Sequence, residues 1–216
     1  MGLFNFFKKG KEPKEPKPPG ITDKLAELGY FKYAVEEDVE PLKEAVEDGL
    51  LSNHLFSLFF SEKPFHSKDF RHYNLNGVLL CEPGGIPNIL TYMKVLFDKM
   101  GIRMEVSDLI EEGELGVALN RGLTLNGKRY TLFTAYPGEA AVAVAQRFAD
   151  MVNDQFAILG QEEQLFLGGS GDEGWGVILT EAQFELLEPI LRLRRQRPMR
   201  VADWCAAVGV DRTAVE

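Results

Sequence analysis

The sequence predicts an α+β fold: a single domain with helices packed on an antiparallel or mixed sheet containing at least two hairpins, plus a flexible N-terminal tail. Three observations carry this. Leu123-Thr124-Leu125 and Arg129-Tyr130-Thr131-Leu132-Phe133 flank Asn126-Gly127, a dipeptide whose tolerance of positive φ suits a two-residue type I′ turn. A second pair of apolar runs, Gln164 to Leu167 and Trp175 to Leu179, flanks a glycine-rich acidic connection. Long segments of helical period alternate with these hairpins, without the regular spacing of β-α-β units. The 216 residues, 45% of them apolar, suffice to bury a real core in one domain.

In chain order, residues 1–20 form a basic, Pro-rich tail, 21–196 the globular α+β domain and 197–216 a short C-terminal helical appendage. Thr22 is placed to cap a helix to about Leu28, and Gly29 to end it. A second helix fits Val35 or Glu36 to Asp48, with Val39, Leu42, Val46 and Leu50 as its apolar stripe. Leu51 to Phe60 extends the helical layer, and Ser61 to Asn76, broken by Pro64, reads as irregular. Gly77 to Cys81 has the continuous apolar character of a buried strand. Asn88 to Met100 reads as a helix with Ile89, Tyr92, Met93, Leu96 and Phe97 inward. A strand is expected at Arg103 to Val106, then an acidic stretch to Glu114 leading into Leu115 to Leu119 and the Asn-Gly hairpin. Pro137 suits a first helical residue before a helix from Gly138 to about Asn153. Thr180-Glu181-Ala182-Gln183 is a capping box opening a helix to about Gln196, which Pro198 stops.

Charge is distributed unevenly. The net −9 combines +3 on residues 1–20 and +3 on residues 192–216 with −15 on the body between them. Such a body repels nucleic acid and anionic membrane and speeds encounter with a basic protein partner, so no nucleic-acid partner is expected. Cys81 and Cys205 are isolated in apolar settings and are read as free thiols, and no stretch reaches the roughly 20 apolar residues of a membrane span. The default compartment is the cytoplasm. Weak peripheral membrane contact remains open for residues 1–11, where Leu3, Phe4, Phe6 and Phe7 stand beside Lys8, Lys9 and Lys11, but Phe6 breaks the myristoylation pattern.

The run Gly169-Ser170-Gly171-Asp172-Glu173-Gly174 matches G-x-G-x-x-G after an apolar strand, yet a β-like run follows it where a dinucleotide fingerprint needs a helix N-terminus. Only 40 residues follow Gly176, too few for the rest of a kinase site. Ser170 departs from the nucleophile elbow at its last glycine and leads to a strand. His66 and His72 are spaced six apart, which fits no small metal motif, and neither a cofactor nor a metal is expected. The C-terminal run Val201 to Val215 resembles a helix-turn-helix element over 15 residues, with Gly209 at the turn and Asp211 able to cap a second helix. Its second helix, ending at Glu216, is too short to fill a major groove.

Three readings of function follow. The first is a non-catalytic acidic protein-binding module, such as an immunity-type protein neutralising a basic toxin or enzyme. Its partner-binding candidates are Asp172, Glu173 and Trp175 on the glycine-rich turn, with Glu111, Glu112 and Glu114 on the acidic stretch. Trp175 is also placed to anchor the core. The second reading is a small enzyme with a site near His66, Asp69 and His72. The third is a regulator or scaffold that docks through its termini. Composition alone does not choose among them.

Overall fold

The computed structural model describes residues 20–52, 68–114, 116–136, 140–192 and 197–211. The tail, the histidines His54 and His66, Pro137 and the second half of the helix-turn-helix resemblance lie outside the described residues. The α+β fold is present: seven α-helices pack with two three-stranded antiparallel sheets among the described residues. Helices α1 (Ile21–Glu27) and α2 (Val39–Ser52) precede β1 (His72–Asn74), then come α3 (Gly77–Cys81) and α4 (Gly85–Lys99). The strands β2 (Val106–Glu114), β3 (Ala118–Leu125) and β4 (Lys128–Tyr136) form one sheet in that order. Helix α5 (Ala140–Ile158) leads to β5 (Glu163–Gly168) and β6 (Trp175–Thr180), which with β1 make the other sheet, ordered β1-β6-β5. Helices α6 (Glu181–Leu187) and α7 (Val201–Val208) close the described chain.

The β5–β6 hairpin is covered on both faces, which is why its sequence reads as continuous apolar runs rather than alternation. Leu165, Leu167 and Ile178 face the larger core, shared with α4, α5, α7 and the β2-β3-β4 sheet. Phe166, Val177 and Leu179 face a second core beneath α1, α2 and α6. Helix α7 belongs to the larger core through the buried Val201, Trp204 and Cys205.

The local signals that sequence reads best are realised. Leu125 pairs with Lys128 across Asn126-Gly127, whose φ values of 50° and 80° are those of a type I′ turn. Thr180 and Gln183 exchange both bonds of the capping box. Several expectations need correction. Thr22 lies buried inside α1, whose N-cap is Gly20, and Tyr92 on α4 is partly exposed rather than inward. Gly77 to Cys81 is a helix, α3, not a strand. Asn76 caps it by accepting the Leu79 N–H at 3.0 Å, and Gly77 lies so close to α5 that a Cβ there would sit 1.5 Å from the Ala141 carbonyl oxygen. The tail end of the segment read as irregular, His72–Asn74, is a strand held by β6. The strand expected at Arg103 starts only at Val106, and the acidic stretch is itself strand β2, an edge with little buried surface and so no apolar alternation to betray it. Helix α6 ends at Leu187 because Pro189 has no N–H to continue it.

Candidate functional site

Close packing accounts for three glycines of the glycine-rich run. Gly168 pairs with Trp175 across the hairpin, and the indole lies over it, so that a Cβ would meet Trp175 Cζ2 at 2.0 Å. A Cβ on Gly169, whose φ is +60°, would meet the Glu173 carbonyl oxygen at 2.1 Å, and one on Gly174 the Leu75 carbonyl oxygen at 2.6 Å. Trp204 Nε1 donates to the Gly169 carbonyl at 2.7 Å and pins the turn from the other side. Trp175 is half-buried against the second core, so it anchors the hairpin, while Asp172 and Glu173 stand exposed on a 3-10 turn.

The predicted acidic residues flank helix α3. Asn76 Nδ2 donates to the Asp172 carbonyl at 3.2 Å, tying the turn to the α3 N-terminus. On the opposite side the Glu111 carboxylate accepts the Gly84 N–H at 2.7 Å and fixes the bend between α3 and α4. Glu112 and Glu114 are exposed along β2, and the Glu112 carbonyl accepts from the buried Arg121 at 2.9 Å. Asp172 and Glu173 on one side and Glu111 on the other are thus linked through α3 and its bend.

Between α3 and α4 runs a groove of about 360 Å³, which sequence reasoning missed. Tyr73, Leu79, Leu80, Ile89 and Tyr92 give it an apolar floor, and Asn74, Asn76, Glu82 and Asn88 a polar rim. Leu79 is 53% exposed and Tyr92 38%, with Val78 beside them at 42%. Three large apolar side chains left in water on adjoining helices form the kind of patch that marks an interaction surface. Reading α3 as a strand hid it, because helical geometry is what puts Val78 and Leu79 on the outside.

Asp69 and His72 lie elsewhere, sealed at 0% and 2% exposure. Tyr30 Oη donates to Asp69 Oδ2 at 3.0 Å and lies 3.2 Å from His72 Nε2, which is 3.5 Å from Asp69. Arg71 is equally buried, with Nε, Nη1 and Nη2 donating to the carbonyls of Tyr30, Ile178 and Gly29. Burial first, and then the Asp69 charge, push the Tyr30 hydroxyl well above its ordinary value, so it stays a neutral donor. The arrangement ties α1 to the β1-β6-β5 sheet. Cys81 and Cys205 are buried and not joined in a disulfide, and burial pushes the Cys81 thiol up to about 11 against the opposing pull of Arg121, which leaves it an unreactive thiol at neutral pH.

Among the described residues no group of three His, Cys, Asp or Glu side chains is placed to hold a metal ion, and no helix is long and apolar enough to cross a membrane. Compared with family models, characterised proteins and solved structures, the chain matches none.

Proposed function

We propose that this chain is a non-catalytic binding module that seats a basic protein partner on the α3–α4 groove, with its acidic flanks as the complementary charge. The observation that carries the reading is the groove itself, a 360 Å³ apolar trough with Leu79 and Tyr92 exposed and with Glu82 on its rim. Asp172 and Glu173 stand beyond the α3 N-terminus, where Asn76 holds their turn. Apolar anchors at the centre and charge at the edge are the usual anatomy of a protein interface. The partner is then a protein with an apolar side chain among lysines or arginines, such as a basic toxin or enzyme, rather than nucleic acid. Two free thiols support a reducing compartment such as the cytoplasm. The alternative of a small enzyme is less well supported: the described members of its site, Asp69 and His72, are committed to a buried knot, while His66 lies outside the described residues.

The test is affinity capture from host lysate with the full chain, read by mass spectrometry, beside Leu79→Glu and Asp172→Lys/Glu173→Lys variants. The expected result is one stoichiometric basic protein that Leu79→Glu loses and the double reversal weakens. Capture that survives both changes removes the groove from the function.

A further inference from the structure

The α3–α4 groove has a definite chemical character. Its floor leaves Leu79 and Tyr92 in water, Glu82 is the charged residue of its lining, and no lysine or arginine of the described residues lines it. Glu111 at the bend after α3 and the Asp172 turn at the α3 N-terminus extend the negative charge on either side. Two other openings differ: Arg192, Arg197 and Arg200 line the one between α6 and α7, and Arg147 the one between β4, α5 and α7. An apolar segment that carries cations suits the groove and not these two. The chain contains such a segment. Residues 3–11 read Leu-Phe-Asn-Phe-Phe-Lys-Lys-Gly-Lys, four large apolar side chains followed by three lysines, with no acidic residue among them. Each phenylalanine brings about 150–250 Å² of surface to bury.

The point at which this segment joins the fold lies near the groove. Gly20 is the N-cap of α1, whose seven residues rise about 10 Å. Beyond α1 the Tyr30 N–H donates to the Leu25 carbonyl at 2.9 Å, and Tyr30 Oη lies 3.2 Å from Nε2 of His72, whose neighbour Tyr73 lines the groove. Followed through these contacts with side chains at full length, Gly20 stands within about 30 Å of Tyr73. The twelve residues 8–19 separate Phe7 from Gly20 and can span up to about 40 Å. Phe4, Phe6 and Phe7 are therefore within reach of the groove of their own chain. Such a tether holds them there at an effective concentration on the order of 1 mM. We infer that residues 3–11 dock in the α3–α4 groove of the same chain, aromatic side chains against Leu79 and Tyr92 and lysines toward Glu82 and the Asp172 turn, so that a partner must displace them. This rests on the reading of the groove as the binding surface and adds its regulation: the tail is a built-in competitor that a weak or wrongly charged partner does not dislodge.

The test uses the full chain with Gly10→Cys carrying a nitroxide spin label. Cys81 and Cys205 are buried, so the label goes to the introduced thiol. Paramagnetic broadening of backbone amides in the NMR spectrum should centre on Leu79, Leu80, Asn88 and Tyr92 and leave α6 and α7 sharp. Phe4→Ser/Phe7→Ser and Leu79→Glu should each remove it. Broadening that is absent, spread over the surface or centred elsewhere overturns the inference. Broadening of isotope-labelled chains by spin-labelled ones in a mixed sample, and not within one chain, overturns it in favour of exchange between copies. A second measurement titrates a synthetic peptide of residues 3–11 into the unlabelled proteins. It should bind the Phe4→Ser/Phe7→Ser chain with a Kd on the order of 1 mM, and the wild type about threefold or more weakly, because the wild-type groove is already filled. Equal affinities overturn the occupancy. The two readings fail separately. Lysate capture that Leu79→Glu abolishes, with no broadening at the groove, removes the tail and keeps the function, whereas broadening at the groove with capture indifferent to Leu79→Glu keeps the docked tail and removes the function.

Discussion

Single residues here hold the molecule by shape and by hydrogen bonding more than by charge. At Gly168 the constraint is steric, because its backbone is not in the left-handed region and the indole of Trp175 stands nearest to where a Cβ would go. Gly168→Ala should therefore cost about 1–3 kcal/mol, the usual range for overpacking, and the cost should nearly vanish in a Trp175→Ala background. Urea unfolding of the four proteins of that cycle measures it, and equal costs in both backgrounds would show that the indole is not the obstacle. Glu163 shows where a charge does matter. Burial works to raise its carboxyl, but hydrogen bonds from Lys32 Nζ and Tyr33 Oη, both at 2.6 Å, outweigh it and hold the group below the usual 4.5. A carboxyl depressed in the fold takes up its proton more readily when unfolded. Its contribution is therefore complete above the unfolded value and is lost as pH falls through the lower folded one. Lys32 is half exposed, which limits the effect. Glu163→Gln should lower Tm by about 2–4 °C near neutral pH, about 1 kcal/mol for a chain of this size, and the gap should close as pH falls below the usual carboxylate range and through the lowered folded value. A gap that widens in acid would contradict this origin.

At the scale of elements, the start of α6 carries two duties. Thr180 and Gln183 cap the helix reciprocally, at 3.3 and 3.1 Å, and Gln183 Nε2 also donates to the Leu28 carbonyl, the C-cap of α1, at 2.8 Å. Thr180→Ala should cost about 1 kcal/mol, the worth of an N-cap. Gln183→Ala should cost more, by about 1–3 kcal/mol, because it strands a carbonyl in a second element as well. Thermal denaturation of the two variants orders them, and equal losses would mean that the Leu28 bond contributes nothing. The same contrast explains what the sequence disclosed. The capping box and the Asn-Gly turn are local patterns, complete within four residues, and both were legible. Helix α3 was not, since five residues without polar ones among them have no period, and what makes them helical is the Asn76 cap together with the approach of the distant Ala141 to Gly77. The acidic residues proposed to meet a partner can be named from the sequence, but the groove beside them depends on α3 being a helix.

For the whole molecule, the proposed function divides the work: the arrangement of charge would set how a partner arrives, and the groove how long it stays. The body's −15, set against +3 at each end, produces an attractive field for a basic protein over distances beyond contact. That field is screened within about 8–10 Å at physiological ionic strength. Asp172 and Glu173 are exposed at the edge of the proposed interface, so their reversal to lysine acts on the encounter. Tyr92 lines the groove, so its truncation to alanine acts on the docked complex. Once the partner is in hand, stopped-flow and dissociation kinetics should separate the two. Asp172→Lys/Glu173→Lys should lower the association rate about tenfold or more at low salt, an effect that disappears as salt rises. Tyr92→Ala should leave association within about threefold and speed dissociation about tenfold or more, as loss of a central aromatic anchor does. Should the double reversal instead act on dissociation alone, the turn would be part of the interface core, and the steering role assigned to the acidic body would have to be abandoned.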